Sequence, residues 1–160
     1  MILLDTMVLS ELRKSRPNAG VVKYLQAQSP DAVFLSAMTI GEIEAGIEKQ
    51  RSVAPEFAEE LSQWLALTEL QFAQSILPVT PAIAKLWGRL CVQTGNKGID
   101  NLIAATALVH NLLVVTRNVN DFEGVGVRVF DPFGEIKKTE VITDGGKENL
   151  AAWVREDRER

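Results

Sequence analysis

Apolar residues fall in short continuous runs near both ends of the chain, with helix-spaced stripes between them. Met1-Ile2-Leu3-Leu4 reads as a buried strand that stops abruptly at Asp5-Thr6. Val33-Phe34-Leu35 is a second strand, bounded by Pro30-Asp31 and Ser36. Ile76 to Val79 is a third, and Pro78 within it suits a sheet edge. Leu112-Leu113-Val114-Val115-Thr116 alternates too little for a half-exposed strand, so it is expected to be central and parallel. Val127 to Phe130 is a last strand before Asp131-Pro132. Between these runs the period changes to that of a helix. Short helices are predicted over Val8–Lys14 and Val21–Gln28, and a longer one opens at Thr39 with the stripe Ile40, Ile43 and Ile47. Phe57, Leu61, Trp64, Leu65, Thr68 and Phe72 mark one helix or two between Pro55 and about Gln74. Thr80-Pro81 is an N-cap followed by proline at the first helical position, and Gly95 ends that helix. Ile99 to His110 is so continuously small and apolar that it should be buried on more than one side. Strands and helices alternating in this way predict an α/β fold with a mostly parallel central sheet.

The 160 residues suit one domain, with 46% hydrophobic and 24% charged residues. No apolar stretch reaches the roughly 18 residues of a membrane span. Met1–Leu4 meets an acid too early for the apolar region of a signal peptide. A single cysteine, Cys91, lies in a helical apolar stripe, which rules out a disulfide framework and fits a reducing cytoplasm. The net charge of −4 argues against an indiscriminate nucleic-acid binder. It leaves room for an enzyme whose acids share a pocket and whose bases line the rim. From Gly134 the character changes: a polar linker with Gly145-Gly146 precedes Asn149–Arg160, where Leu150, Trp153 and Val154 form one apolar patch. Two segments are therefore expected, a domain over residues 1–133 and an extension over 134–160. The extension is a linker followed either by a short amphipathic helix docked on the domain or by a segment that orders only when something binds it.

Four acids occupy corresponding places. Asp5 follows the first strand, Glu42 stands in the first turn of its helix, Asp100 opens the buried helix, and Asp121 follows the central strand. Each has an ordinary structural reading: Thr39-x-x-Glu42 as a capping box, Asp5 and Asp121 as N-caps, Asp100 as a helix-dipole partner. Taken together they point elsewhere, because acids after parallel strands and at helix starts collect at one edge of the sheet. Two unit charges about 4 Å apart repel by about 4 kcal/mol at an effective dielectric near 20. Either one acid keeps a proton or a divalent cation neutralises the group. Oxygen ligands without thiol or imidazole select Mg²⁺ or Mn²⁺. Such a centre suits phosphodiester hydrolysis.

Ile2-Leu3-Leu4-Asp5-Thr6, Leu35-Ser36-x-x-Thr39-x-x-Glu42-x-x-x-Gly46-Ile47, Asp100-x-Leu102-Ile103-Ala104-Ala105-Thr106-Ala107 and Val115-Thr116-Arg117-Asn118-x-x-Asp121-Phe122 together resemble PIN-domain proteins, of the VapC/FitB type found in bacterial toxin–antitoxin pairs. The resemblance runs from Met1 to about Phe133. It implies a PIN-like three-layer fold and a Mg²⁺- or Mn²⁺-dependent endoribonuclease acting on tRNA or another structured RNA. It further implies a homodimer, held inactive by a VapB/FitA-like antitoxin that also binds operator DNA. The family's acids map onto Asp5, Glu42 and Asp100, with Asp121 as the fourth charged member and Asn118 as its neutral hydrogen-bonding partner. Thr116 is expected to hold an acid or a ligand water, and Thr6 to assist through its hydroxyl or backbone. One departure stands out: Met7 occupies the place where the family usually has asparagine. This gives an alternative reading, a PIN-fold RNA- or protein-binding module with weakened catalysis.

Of the cations Arg13, Lys14, Lys85, Arg89, Lys97 and Arg117, only Arg117 adjoins the expected site and is assigned to substrate phosphate. His110 is read as a C-terminal dipole partner. Trp64, Trp87 and Phe72 lie in helical stripes and are assigned to packing.

Overall fold

The structure, a computed structural model, describes residues 1–134 of the 160. The expected linker and amphipathic helix of the extension lie outside the described residues. Five strands form one sheet: β1 (Ile2–Leu4), β2 (Val33–Ser36), β3 (Ile76–Leu77), β4 (Leu113–Val115) and β5 (Val129–Phe130). Their spatial order is β3-β2-β1-β4-β5, and every neighbouring pair is parallel. Six α-helices connect them: α1 (Thr6–Leu12), α2 (Ala19–Gln26), α3 (Ala37–Arg51), α4 (Pro55–Gln71), α5 (Pro81–Thr94) and α6 (Ile99–His110).

The sheet divides two cores, as a parallel sheet covered on both faces requires. Successive side chains of a strand point to opposite faces. Ile2 and Leu4 of β1 therefore join Val33, Leu35 and Val115 in one core, which α1 to α4 cover with Val8, Leu25, Ile47 and Leu65. Leu3 joins Val114 in the other, under Ile83, Leu90 and Ile103 of α5 and α6. This is the expected three-layer α/β arrangement. Trp64 packs against the first core and Trp87 against the second, Phe72 is buried in the first, and Cys91 is buried beneath α5.

The order of the strands sets a direction. From β1 the chain moves outward to β2 and β3, then returns across β1 to continue as β4 and β5 on the far side. That reversal places a topological switch between β1 and β4, and in open parallel sheets the crevice beyond the carboxyl ends at such a switch binds ligands.

Most element boundaries follow the sequence pattern. Thr80 accepts the Ile83 N–H as N-cap with Pro81 at the first helical position, and Gly95 closes α5 at φ 71°. β3 lies at an edge of the sheet and stops just before Pro78. The region after Pro55 is a single helix. The Thr39–Glu42 capping box is overturned. The N-cap of α3 is Ser36, whose hydroxyl accepts the Met38 N–H at 3.1 Å. Starting earlier sets Thr39 on the inner face with Ile43 and Ile47, fully buried, its hydroxyl without a hydrogen-bond partner. Glu42 thus stands beyond the first turn. Asp121 is likewise no N-cap: it lies inside a 3-10 turn, Val119–Phe122, which Asn118 precedes. Among the described residues no helix is long and apolar enough to cross a membrane.

Candidate active site

Asp5 sits where β1 becomes α1. Its backbone N–H still pairs with the Val115 carbonyl of β4, while its own carbonyl accepts the N–H groups of Val8 and Leu9. The change from strand to helix within one residue points the carboxylate out of the carboxyl edge of the sheet. It is only 6% exposed. Oδ1 accepts the Thr6 N–H at 2.8 Å, and Oδ2 accepts the Thr116 hydroxyl at 2.7 Å. Thr116 follows β4 directly and is fully buried, so it holds Asp5 from across the switch point.

Thr6 turns its hydroxyl the other way and donates to Glu42 Oε2. One residue therefore ties the first acid to the second, through its backbone to Asp5 and through its side chain to α3. Asp100 arrives by a different route. α6 ends at His110 and turns tightly into β4, so it runs back along the strand and delivers its N-terminus to the same edge. Asp100 stands in its first turn, half-buried. Asp121, exposed, reaches the edge from the turn after β4.

Their electrostatics bind the four acids into one group. Burial raises the Asp5 carboxyl above the usual aspartate value, the hydrogen bonds from Thr116 and Thr6 oppose the rise, and the Asp121 charge adds to it. Burial also raises Asp100, followed by repulsion from Asp121, Asp5 and Glu42 in that order. Asp100 thus registers the charges of the other three acids, which come from three other elements. Among the described residues no three acidic, histidine or cysteine side chains stand close enough to hold a metal ion between them. The donor set is carboxylate oxygen with hydroxyl support, and its chemistry suits a hard divalent cation that would draw the side chains inward.

Asn118 goes elsewhere than to the acids. Its N–H donates to the Thr116 hydroxyl at 3.0 Å, and its side-chain amide donates to the Met7 sulfur at 3.0 Å. Met7, 41% exposed, flanks the opening. Arg117 lies exposed on the rim, its guanidinium 5.1 Å from the centre of the Phe133 ring. Of the other cations considered from sequence, two are engaged. Arg13 stacks on Phe57 at 5.2 Å, and Lys14 pairs with Glu11 at 2.5 Å. Lys85 and Arg89 are exposed on α5, Lys97 is exposed in the loop before α6, and His110 is the exposed last residue of that helix.

Sequence reasoning missed Glu11. It is buried near the end of α1 and accepts the Asn18 N–H at 2.8 Å. Burial pushes its carboxyl up, but the Lys14 and Asn18 hydrogen bonds and the charges of Lys14 and Arg117 outweigh that and hold it below the usual glutamate value. Its three-residue spacing to Lys14 was the available signal.

Comparison with known proteins bears on the family and the fold. The PIN domain family model matches residues 2–127. Toxin FitB of Neisseria gonorrhoeae is 36% identical over 143 residues, covering 83% of this chain and 99% of the relative. A VapC ribonuclease of Sinorhizobium fredii is 32% identical over 143 residues, with 83% and 98% covered. Among solved structures, FitAcB from Neisseria gonorrhoeae superposes with a TM-score of 0.73 at 33% identity, covering 83% of this chain and 99% of that one. A toxin–antitoxin complex from Klebsiella pneumoniae gives 0.64 at 27% identity, with 82% and 98% covered.

Proposed function

Because this chain belongs to the PIN domain family, we propose that it is a Mg²⁺- or Mn²⁺-dependent endoribonuclease and the toxin of a toxin–antitoxin pair. What supports the reading is that β1, α3, α6 and the turn after β4 carry Asp5, Glu42, Asp100 and Asp121 toward one edge of the sheet, and that, after burial, the charges of the other three raise the Asp100 carboxyl. Asp5, Glu42 and Asp100 hold the cation, and Asp121 completes the site or orients the attacking water. When bound, the cation supplies charge neutralisation of the phosphate and a water acidic enough to attack at neutral pH. Thr116 favours the ionised form of Asp5 against the effect of burial and fixes its rotamer, and Thr6 ties Glu42 to it. Arg117 at the rim meets a flanking phosphate.

Further parts of this reading come from what the chain resembles. A relative named as a ribonuclease supports RNA as substrate, with tRNA or another structured RNA as the form cut. A neighbour described as a toxin–antitoxin complex supports a VapB/FitA-like antitoxin as partner. A homodimer in the cytoplasm completes it, with residues 1–133 as the nuclease domain. Purified protein should cleave RNA in Mn²⁺ and stop in chelator. Asp5→Asn should lower the rate by at least about 100-fold, the scale of losing one electrostatic partner in a water-excluded site. An Asp5→Asn enzyme as fast as the wild type removes Asp5 from the chemistry.

The Met7–Asn118 contact favours a second reading, an attenuated enzyme or a binding module. A thioether takes up the amide of Asn118, which is then turned to sulfur rather than to a carboxylate. Losing such an outer partner typically costs roughly 10–100-fold in activity. Met7→Asn should raise turnover within that range if the native site is attenuated. A native rate already high, with no gain in the variant, rejects this reading.

A further inference from the structure

A closed circuit of contacts runs from the end of α1 to the rim of the acid cluster. The Glu11 carboxylate accepts the Asn18 N–H, and the Asn18 side chain caps α2 through the N–H groups of Gly20 and Val21. Gly20 in turn lies directly against the segment that leaves β5. A Cβ at this position would stand 2.5 Å from the Pro132 carbonyl oxygen and 2.9 Å from that of Gly134. Those two carbonyls bracket Phe133, whose N–H is fixed by the Asp131 carboxylate at 2.8 Å. The Phe133 ring then carries the Arg117 guanidinium at 5.1 Å, and the Arg117 charge registers back at Glu11. An exposed arginine on a loop ordinarily samples many rotamers, and ordering a long cation costs on the order of 1–2 kcal/mol of side-chain entropy. Here an aromatic face holds it one residue beyond Thr116, which grips Asp5.

We propose that Phe133 is a positioning residue: its ring, held in place by Gly20, keeps the Arg117 guanidinium at the rim of the acid cluster, ready for an RNA phosphate. The inference rests on the ribonuclease reading for its substrate class. It assigns Phe133, Gly20 and Glu11 to substrate affinity rather than to the chemical step. Phe133→Leu keeps apolar packing but removes the charged-face attraction, so RNA affinity should fall by about five-fold. The dependence of binding on salt should weaken as one phosphate contact is lost, a change of about 0.7 in the log–log slope for a single strand.

The test is binding of a short, labelled, mixed-sequence oligoribonucleotide to the full chain carrying Asp5→Asn, so that cleavage does not interfere, together with KM and kcat of the otherwise native enzyme in Mn²⁺. Phe133→Leu should weaken binding, flatten the salt dependence and raise KM more than it lowers kcat, while Phe133→Trp restores all three. Phe133→Leu should add nothing in an Arg117→Ala background. Gly20→Ala, which displaces the segment and leaves the ring intact, should reproduce the loss. Equal losses from Phe133→Leu with and without Arg117 overturn the inference, because the ring would then be acting on stability alone. So does unchanged binding in Phe133→Leu where Arg117→Ala binds weakly. Binding that depends on both residues in a protein that never cleaves RNA would uphold the inference and sink the nuclease reading. Asp5-dependent cleavage with no effect of Phe133 would do the reverse.

Discussion

At the scale of single residues, Asp5 and Asp100 carry the site's cost. Both carboxyls lie above their usual value, chiefly through burial. A raised folded value means that the folded protein binds those protons more tightly than the unfolded chain. The resulting stability is complete below the ordinary aspartate pKa of about 3.9 and is lost as pH rises through the raised folded values. The metal-free protein should therefore lose stability from these two groups on going from acid to neutral pH. Asp5→Asn removes one of them, so its melting temperature relative to the wild type should climb with pH, read by thermal melts from about pH 3.9 to pH 7. A wild-type lead that widens toward neutrality would contradict the sign. On the proposed reading Mn²⁺ binds the ionised form, so it should stabilise the wild type more as pH rises from about 3.9 to 7. Saturation at 100 times the dissociation constant adds about 2.7 kcal/mol.

At the scale of elements, α3 separates what the residue pattern states from what packing decides. Thr39 and Glu42 have the spacing of a capping box, yet Ser36 ends β2 in an extended conformation and caps the helix three residues earlier. Local spacing could not distinguish the two, because Ser36 and Thr39 are both good caps. The decision came from the core, which takes Thr39, Ile43 and Ile47 as one stripe. Ser36→Ala should cost about 1 kcal/mol in chemical denaturation. Thr39→Val, which removes a buried hydroxyl that has no partner, should cost nothing or stabilise. The opposite ranking would restore the capping box. Elsewhere the pattern was enough: α6 spans Ile99–His110 as its continuous apolar run requires, and Pro78 stops β3 at the sheet edge. Glu42 lies past the first turn of α3, but Asp5, Asp100 and Asp121 were readable because each follows a strand or opens a helix that the hydrophobic pattern defines. Glu11, the Met7–Asn118 contact and the stacking of Arg117 on Phe133 were not. The last two join residues brought together only by the crossing between β1 and β4 and the return of the chain past Gly20, whereas Glu11 pairs locally with Lys14 and Asn18.

At the scale of the whole molecule, the parallel sheet does the gathering. Its strand order reverses beside β1, so β1 and β4 end side by side and open one crevice, while α3 starts after β2 and α6 runs back along β4 to the same edge. Two cores on opposite faces make that edge rigid, and a rigid edge holds like charges together that would otherwise separate. The acids are spread across more than a hundred positions of sequence, yet the charges of Asp121, Asp5 and Glu42 all register at Asp100. On the proposed reading the fold brings this negative charge to one edge, and a divalent cation would offset it at neutral pH. The most direct test is anomalous diffraction from crystals soaked in Mn²⁺. One manganese peak bounded by the carboxylates of Asp5, Glu42 and Asp100, with Asp121 at its edge, is the expected result. A fully soaked crystal with no peak there, or with manganese bound only elsewhere, would contradict it.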